Sequence, residues 1–248
     1  MKISIITATY NSATTIKDTL LSVANQTYTN IEHIIIDGSS EDNTLDIVSE
    51  FPHVNKIISE PDKGIYDAMN KGIKVATGEI IGILNSDDLL YSNSTIEIIA
   101  EAFKSQNISA TYGNIIFFDT VNPEKITRFW KAKNYYPAFF ENGELPPHPT
   151  LYVRKNVYEN IGFYKLDYKI AADVEFMLRM LKIYNYKSYY INEIIVKMRN
   201  GGASTNGLKS FWIISKETKR LWKENGLKFP FRLYFSRPYR RIIQLFNK

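Results

Sequence analysis

Four consecutive polar residues, Asn85-Ser86-Asp87-Asp88, follow directly on the apolar run Ile80 to Leu84. Carboxylate oxygens are hard donors, so this cluster suits Mg²⁺ or Mn²⁺ bridging two phosphates. Taken alone, the pattern has a second reading, an N-cap for a helix beginning near Ser92. Two more polar clusters follow apolar runs: Thr9-Tyr10-Asn11 after Ile3 to Ala8, and Asp37-Gly38-Ser39-Ser40 at the end of Ile31 to Asp37. Further along lie His148, within Pro146-Pro147-His148-Pro149-Thr150, and Asp173, followed by Glu175 and Arg179 at i, i+4 spacing. Many nucleotide-binding proteins neutralise a diphosphate with glycine-rich backbone at a helix N-terminus. This chain has neither Gly-x-Gly-x-x-Gly after its first apolar run nor a Gly-Lys-Ser/Thr loop. Dehydrogenase and P-loop chemistry are therefore disfavoured, and a metal can take the place of the missing glycine loop.

Bringing these clusters together requires a particular order of elements. β-branched runs at Ile3 to Ala8, Ile31 to Asp37, Val54 to Ser59 and Ile80 to Leu84 alternate with helical patterns. The helical patterns carry Ile16, Leu20, Val23 and Ala24, then Ser40 through Phe51, then Ile65 to Ala76. The order β-α-β-α-β-α-β predicts a parallel sheet with right-handed crossovers, in which ligands sit outside the carboxyl ends of the strands. The second half predicts strands at Ala110 to Phe118, Leu151 to Arg154 and Lys187 to Lys197, with helices from about Asp173 to Tyr184 and from Leu208 to Glu224. Gly201-Gly202-Ala203-Ser204 reads as a turn or as a loop that closes over a ligand.

At 248 residues, with 44% hydrophobic and 23% charged residues, the chain has the composition of a folded protein with a substantial core. There is no cysteine, so disulfides, thiolate ligands and thiol nucleophiles are excluded. The net charge of +5 suits an anionic ligand or surface. Part of it is local: no acid follows Glu224, whereas Lys228, Arg232, Arg237, Arg240, Arg241 and Lys248 do. The stretch Phe229 to Phe246 interleaves aromatics with arginines, which fits an amphipathic helix on an anionic membrane surface or, alternatively, packing against the folded domain. No recognised single-strand module precedes it, so a nucleic acid partner is not expected. The N-terminal apolar run is too short for a secretory segment, and no run reaches the length of a spanning helix. A cytoplasmic protein is expected, peripheral on the inner face of the plasma membrane if the tail binds lipid.

Together the motifs resemble a family 2 inverting glycosyltransferase of GT-A fold. The resemblance runs through Ser4-Ile5-Ile6-Thr7-Ala8-Thr9-Tyr10-Asn11, Ile34-Ile35-Ile36-Asp37-Gly38-Ser39-Ser40 and Gly64-Ile65-Tyr66-Asp67-Ala68-Met69-Asn70-Lys71-Gly72-Ile73. It continues through Ala76-Thr77-Gly78-Glu79 into Asn85-Ser86-Asp87-Asp88, in family order over about the first ninety residues. Ala172-Asp173-Val174-Glu175 resembles the family's Glu-Asp-x-Asp helix start, with alanine at the first position. The fold implied is an α/β, GT-A, Rossmann-like one: a mixed, mostly parallel sheet flanked by helices, with a basic aromatic C-terminal helical tail. Residues 1–226 are expected to form one domain, with a donor half at 1–90 and an acceptor half at 91–226, and 227–248 to form the tail.

The resemblance implies that Thr7, Thr9 and Tyr10 wall the nucleobase pocket and that Asp37 accepts a hydrogen bond from the base. It places further nucleotide contacts at Lys63 and Asp67, Ser86 on ribose or phosphate, Asp87 on a divalent metal (Mn²⁺ or Mg²⁺), and Asn85 and Asp88 beside it. Asn85 replaces the first acid of the family's Asp-x-Asp motif and offers an uncharged oxygen. Asp173 aligns with the catalytic base, and His148 is a candidate for facing the acceptor or completing the metal shell. The expected partners are a nucleotide-sugar donor, by default a UDP-sugar, and a glycan or lipid-linked sugar acceptor in cell-surface polysaccharide assembly. Sugar-phosphate nucleotidyltransfer is a second reading, opposed by the absence of a glycine-rich basic turn after the first strand. A noncatalytic nucleotide-sugar-binding module is a third, favoured by Asn85 and Ala172 and opposed by Asp173. The remaining histidines, His33 and His53, have no partner that spacing predicts and read as structural.

Overall fold

The computed structural model describes residues 1–104, 107–201, 207–233 and 236. Its centre is β1 (Ile3–Thr9), buried at every position, as a parallel strand covered on both faces should be. β1 pairs in parallel with β2 (Ile31–Asp37) on one side and β4 (Ile80–Ile83) on the other, while β3 (Val54–Ser59) lies parallel to β2. The connections carry α1 (Ile16–Ala24), α2 (Thr44–Ser49) and α3 (Ile65–Val75). Gly72 lets α3 settle onto the sheet, because a Cβ there would collide with the Ile6 side chain.

The second half continues the same sheet with mixed polarity. Short β5 (Asp88–Leu90) and α4 (Thr95–Ala102) precede β6 (Ala110–Phe118), which forms a hairpin with β7 (Ile126–Trp130). β8 (Tyr152–Arg154) runs antiparallel to both β4 and β6 and so joins the halves; α5 (Lys155–Ile161) and α6 (Ala172–Leu178) follow it. β9 (Ser188–Arg199) pairs in parallel with β6 and antiparallel with β5, and α7 (Gly207–Glu224) packs against α6. The strand order is β3-β2-β1-β4-β8-β6-β9-β5, with β7 beside β6.

The expected strands and helices of the first half occur in the expected order, though the pattern read from Ser40 through Phe51 is helical only over Thr44–Ser49. The helix expected at Asp173 to Tyr184 is regular only to Leu178, then widens through 179–183, where the Tyr184 N–H donates to the Arg179 carbonyl. β5, β7 and α5 had no counterpart in the sequence reading. Asp88 opens β5, and the Ser92 N–H donates to Thr95 Oγ1 at the start of α4, so the aspartates cap no helix. Residues 202–206, which include most of the expected closing loop, lie outside the described residues, as does most of the tail. Among the described residues, no helix is long and apolar enough to cross a membrane.

Candidate functional site

A cleft of about 710 Å³ opens at the carboxyl ends of β1 and β4. Loops after those strands bring Thr9, Tyr10, Asn85, Ser86 and Asp87 to it; the start of α6 brings Asp173, and the turn before β8 brings His148. The loop after β1 is held by its neighbour after β2. The Asn11 N–H donates to Ser40 Oγ (2.8 Å), Asn11 Oδ1 accepts from the Glu41 N–H (2.9 Å), and the Gly38 N–H donates to the Thr9 carbonyl (2.9 Å). Asn11 takes φ 48° to make this turn, a left-handed conformation that asparagine tolerates better than most residues.

Several residues assigned to the nucleotide by resemblance do not line this cleft. Thr7 is fully buried inside β1, with Oγ1 3.0 Å from His33 Nε2, too deep in the strand to reach the rim. The other ring nitrogen of His33 lies 3.1 Å from His53 Nε2, so the two histidines are each other's partners, contrary to the expectation from spacing. The Asp37 carboxylate is also fully buried and accepts from the Ser40 N–H (3.0 Å), Ser40 Oγ (2.5 Å) and Ser59 Oγ (2.7 Å). It secures the turn after β2 instead of facing the cleft. Asp67 folds back to accept from the Lys63 N–H (3.0 Å) and lies 3.8 Å from Lys71, closing the start of α3, and Lys63 does not line the cleft. The acid that does line the cleft from this segment is Asp62. Gly38 makes room for it, since a Cβ at that position would stand 2.6 Å from Asp62 Oδ2. Nothing in the sequence singled out Asp62 from its acidic neighbours.

The cluster after β4 divides its labour. Ser86 Oγ pairs with Ser12 Oγ at 2.8 Å, which fixes the loop across the cleft floor. Asp87 lines the cleft, whereas Asp88 is fully buried behind it, with Oδ2 accepting from Asn85 Nδ2 at 3.2 Å. Asp88 is therefore a supporting residue and not a direct contact. Burial raises the pKa of both carboxyls; for Asp88 the neighbouring Asp87 charge raises it further, and Arg199 opposes the shift. Arg199, at the end of β9, is ion-paired with Asp18 and lies over the Phe118 ring; sequence reasoning did not identify it. Three buried oxygens here, Thr9 Oγ1, Asn85 Oδ1 and Asp88 Oδ1, have no hydrogen-bond partner. Among the described residues, no three His, Cys, Asp or Glu side chains gather into a metal cage. The donor set of Asp87 and the unpartnered Asn85 oxygen fits a hard divalent ion only when ligand and water oxygens complete the shell.

At the start of α6, Asp173 faces the cleft and does not cap its helix, while Glu175 and Arg179 pair behind it at 2.9 Å. The Tyr66 hydroxyl lies 2.5 Å from the Ile170 carbonyl oxygen and 3.2 Å from Asp173 Oδ1, and its single proton serves one of them at a time. Burial lowers the His148 pKa and the Asp173 charge opposes this; His148 Nε2 is held 2.9 Å from the Tyr164 hydroxyl. That nitrogen is thus engaged within the protein and not offered to a metal. Tyr164 is in turn clamped by Asn70 of α3, which donates to its carbonyl (2.8 Å) and accepts from its N–H (3.1 Å). The remaining wall is apolar and comes from the second half, with Phe117, Trp130, Leu145 and Met198 surrounding Arg128, whose guanidinium stacks 3.4 Å from the Phe117 ring centre. This wall went unread because β7 carries no clear period.

The sheet order and the cleft at the strand ends define the class as a GT-A fold. Staphylococcus aureus TarS 1–349, solved in complex with UDP-GlcNAc, superposes with a TM-score of 0.72 at 18% identity, over 98% of this chain and 73% of that one. A longer TarS chain is spanned over 40% of its length. The profile of Glycosyl transferase family 2 matches residues 4–164, and the chain belongs to that family. A PGL/p-HBAD biosynthesis glycosyltransferase of Mycobacterium bovis is 30% identical over 207 residues, 82% of this chain and 78% of the relative. The Escherichia coli UDP-Glc:alpha-D-GlcNAc-diphosphoundecaprenol beta-1,3-glucosyltransferase WfgD is 36% identical over 141 residues, 53% of this chain and 55% of that one.

Proposed function

We propose that the protein is an inverting, metal-dependent glycosyltransferase that moves a sugar from a UDP-sugar to a hydroxyl of a glycan or lipid-linked acceptor. The observation that carries this reading is that Asp87, on the loop after β4, and Asp173, at the start of α6 and 86 residues further along the chain, open onto one cleft at the carboxyl edge of the sheet. Asp173 takes the proton of the acceptor hydroxyl as that oxygen bonds to the anomeric carbon. The nucleoside diphosphate leaves from the opposite face, so a single displacement inverts the centre. A positioned base of this kind contributes roughly 10²–10⁴-fold in rate. Asp87 and Asn85 would hold the divalent ion, which when bound offsets the charge developing on the leaving diphosphate. Tyr10, Thr9 and Ser86 line the donor side, and His148 with the apolar wall around Arg128 lines the acceptor side.

A UDP donor is favoured by the titles of TarS and WfgD, and a lipid-linked acceptor by that of WfgD. Such an acceptor places the reaction at a membrane in cell-envelope assembly. The outward face of α7 supports this, because exposed Trp212, Lys216, Lys219 and Lys223 follow one another at helical spacing. Calorimetry with UDP, GDP and dTDP, with and without Mn²⁺, tests the donor assignment, and hydrolysis of UDP-sugars by wild type and Asp173→Asn tests the base. The reading expects UDP binding that Mn²⁺ strengthens, together with a variant that binds UDP normally and turns over at least about a hundredfold more slowly. Absence of nucleotide binding would reject transfer altogether, and unchanged turnover would remove Asp173 from the mechanism.

A further inference from the structure

We propose that Glu217, on α7, is a positioning residue for Asp173; the proposal rests on the reading of Asp173 as the base. α6 starts without a side-chain cap of its own, and position 172, where the family motif has an acid, is alanine. The acid at this helix start comes from elsewhere in the chain. Glu217 Oε1 accepts from the Lys169 N–H at 2.6 Å, and Oε2 accepts from the Ile170 and Ala171 N–H groups, both at 3.0 Å. Glu217 is only 8% exposed. A buried carboxylate needs such compensation, and three N–H donors at the positive end of a helix supply it. The exchange fixes the three backbone units immediately before the helix turn that carries Asp173.

Fixing them also fixes a hydroxyl. The Ile170 carbonyl can only accept, and it lies closer to the Tyr66 hydroxyl than Asp173 does, 2.5 Å against 3.2 Å. With Ile170 held by Glu217, the Tyr66 hydroxyl is kept between the Ile170 carbonyl and Asp173 Oδ1, within hydrogen-bond reach of both. Release of 169–171 frees the Ile170 carbonyl to leave the phenol and lets the helix start that carries Asp173 shift from its place in the cleft. The titratable or charged groups that face this arrangement are Tyr66 from α3, His148 from the turn before β8, Tyr164 and Lys169 from the α5–α6 connection, and Glu217 from α7.

The test uses the full chain, with UDP-glucose and UDP-GlcNAc hydrolysis for turnover and UDP calorimetry for donor binding. Glu217→Gln keeps the volume but loses the charge and part of the accepting capacity. It should lower kcat roughly 10–100-fold, the scale of a small misplacement, while KM and UDP affinity stay within about twofold. Glu217→Asp, one methylene short, should recover part of the loss. In the Asp173→Asn background Glu217→Gln should cost nothing further, since residues acting as a unit are not additive. Wild-type kcat in Glu217→Gln, or an undiminished extra loss beside Asp173→Asn, would overturn the proposal. A loss that falls equally on UDP affinity would also overturn it, by making Glu217 a general structural residue. If Asp173→Asn is inactive but Glu217→Gln is normal, only the positioning role fails; if Asp173→Asn is fully active, the base assignment fails first and this proposal with it.

Discussion

Replacing Asn70 with alanine should separate the two halves of the site more than its position inside a donor-half helix suggests. Asn70 is 6% exposed, and its amide makes a two-bond clamp with the backbone of Tyr164, at 2.8 and 3.1 Å. Tyr164 is itself 3% exposed, so water cannot readily replace what is lost. Alanine leaves one buried N–H and one buried carbonyl without partners, each costing about 1–3 kcal/mol. The expected loss is therefore ~2–5 kcal/mol, which lowers the melting temperature by roughly 5–15 °C in a chain of this size. Tyr164 also holds His148 through its hydroxyl and packs against Phe176 of α6, with ring centres 5.1 Å apart. Turnover should fall beyond the loss of folded protein, because the support of the acceptor side is disturbed. Asn70→Asp is the informative companion: it can accept from the Tyr164 N–H but sets a second oxygen against the Tyr164 carbonyl, so it should not rescue. Urea unfolding of the three proteins measures the difference by linear extrapolation. A change below about 0.5 kcal/mol in Asn70→Ala, the range of an ordinary surface substitution, would refute the claim that this clamp joins the halves.

Removing divalent ions with EDTA should weaken UDP binding at least about tenfold, the equivalent of a single charge-assisted contact. Asp87→Asn should abolish the Mn²⁺ dependence, whereas Asn85→Asp should allow Mn²⁺ to bind before the nucleotide; calorimetry with Mn²⁺ alone reads the second effect, and no heat would count against the assigned donor set. Burial, with His53 adding to the effect, holds the His33 pKa down to about 3. The unfolded chain binds a proton near pH 6.5 that the folded one refuses. Stability should therefore be full above that value and decline as pH falls from 6.5 toward 3, and His33→Gln should flatten the dependence between pH 7 and 5; an unchanged slope in urea titrations would place its origin elsewhere. Reversing Lys216, Lys219 and Lys223 to glutamate should lower recovery with phosphatidylglycerol vesicles roughly tenfold or more without altering UDP affinity. Equal flotation of wild type and variant would exclude α7 as the membrane face.

The sequence by itself determined the first half of the sheet and the edge at which chemistry gathers. Its β-branched runs and helical spacings are local signals, and each expresses itself without help from distant residues. That Asn85 to Asp87 and Thr9 to Asn11 line the cleft was legible for the same reason, since they follow their strands directly. Tertiary structure decided what periodicity cannot encode. Thr7 and Asp37 sit in the right motifs, yet face His33 in one case and Ser40 and Ser59 in the other, because burial and hydrogen-bond satisfaction set where a polar side chain points. Asp62 lines the cleft beside Gly38, on a different loop, whose missing side chain leaves it room. Arg128 and Trp130 lie on a strand with no clear period, and Arg199 on one read only to Lys197. Asp173 was legible as a residue, but its surroundings were not: Tyr66 and Glu217 are more than forty residues from it on either side. Contacts at that separation are fixed by the packing of α3 and α7 against one loop, and no local pattern of residues records them.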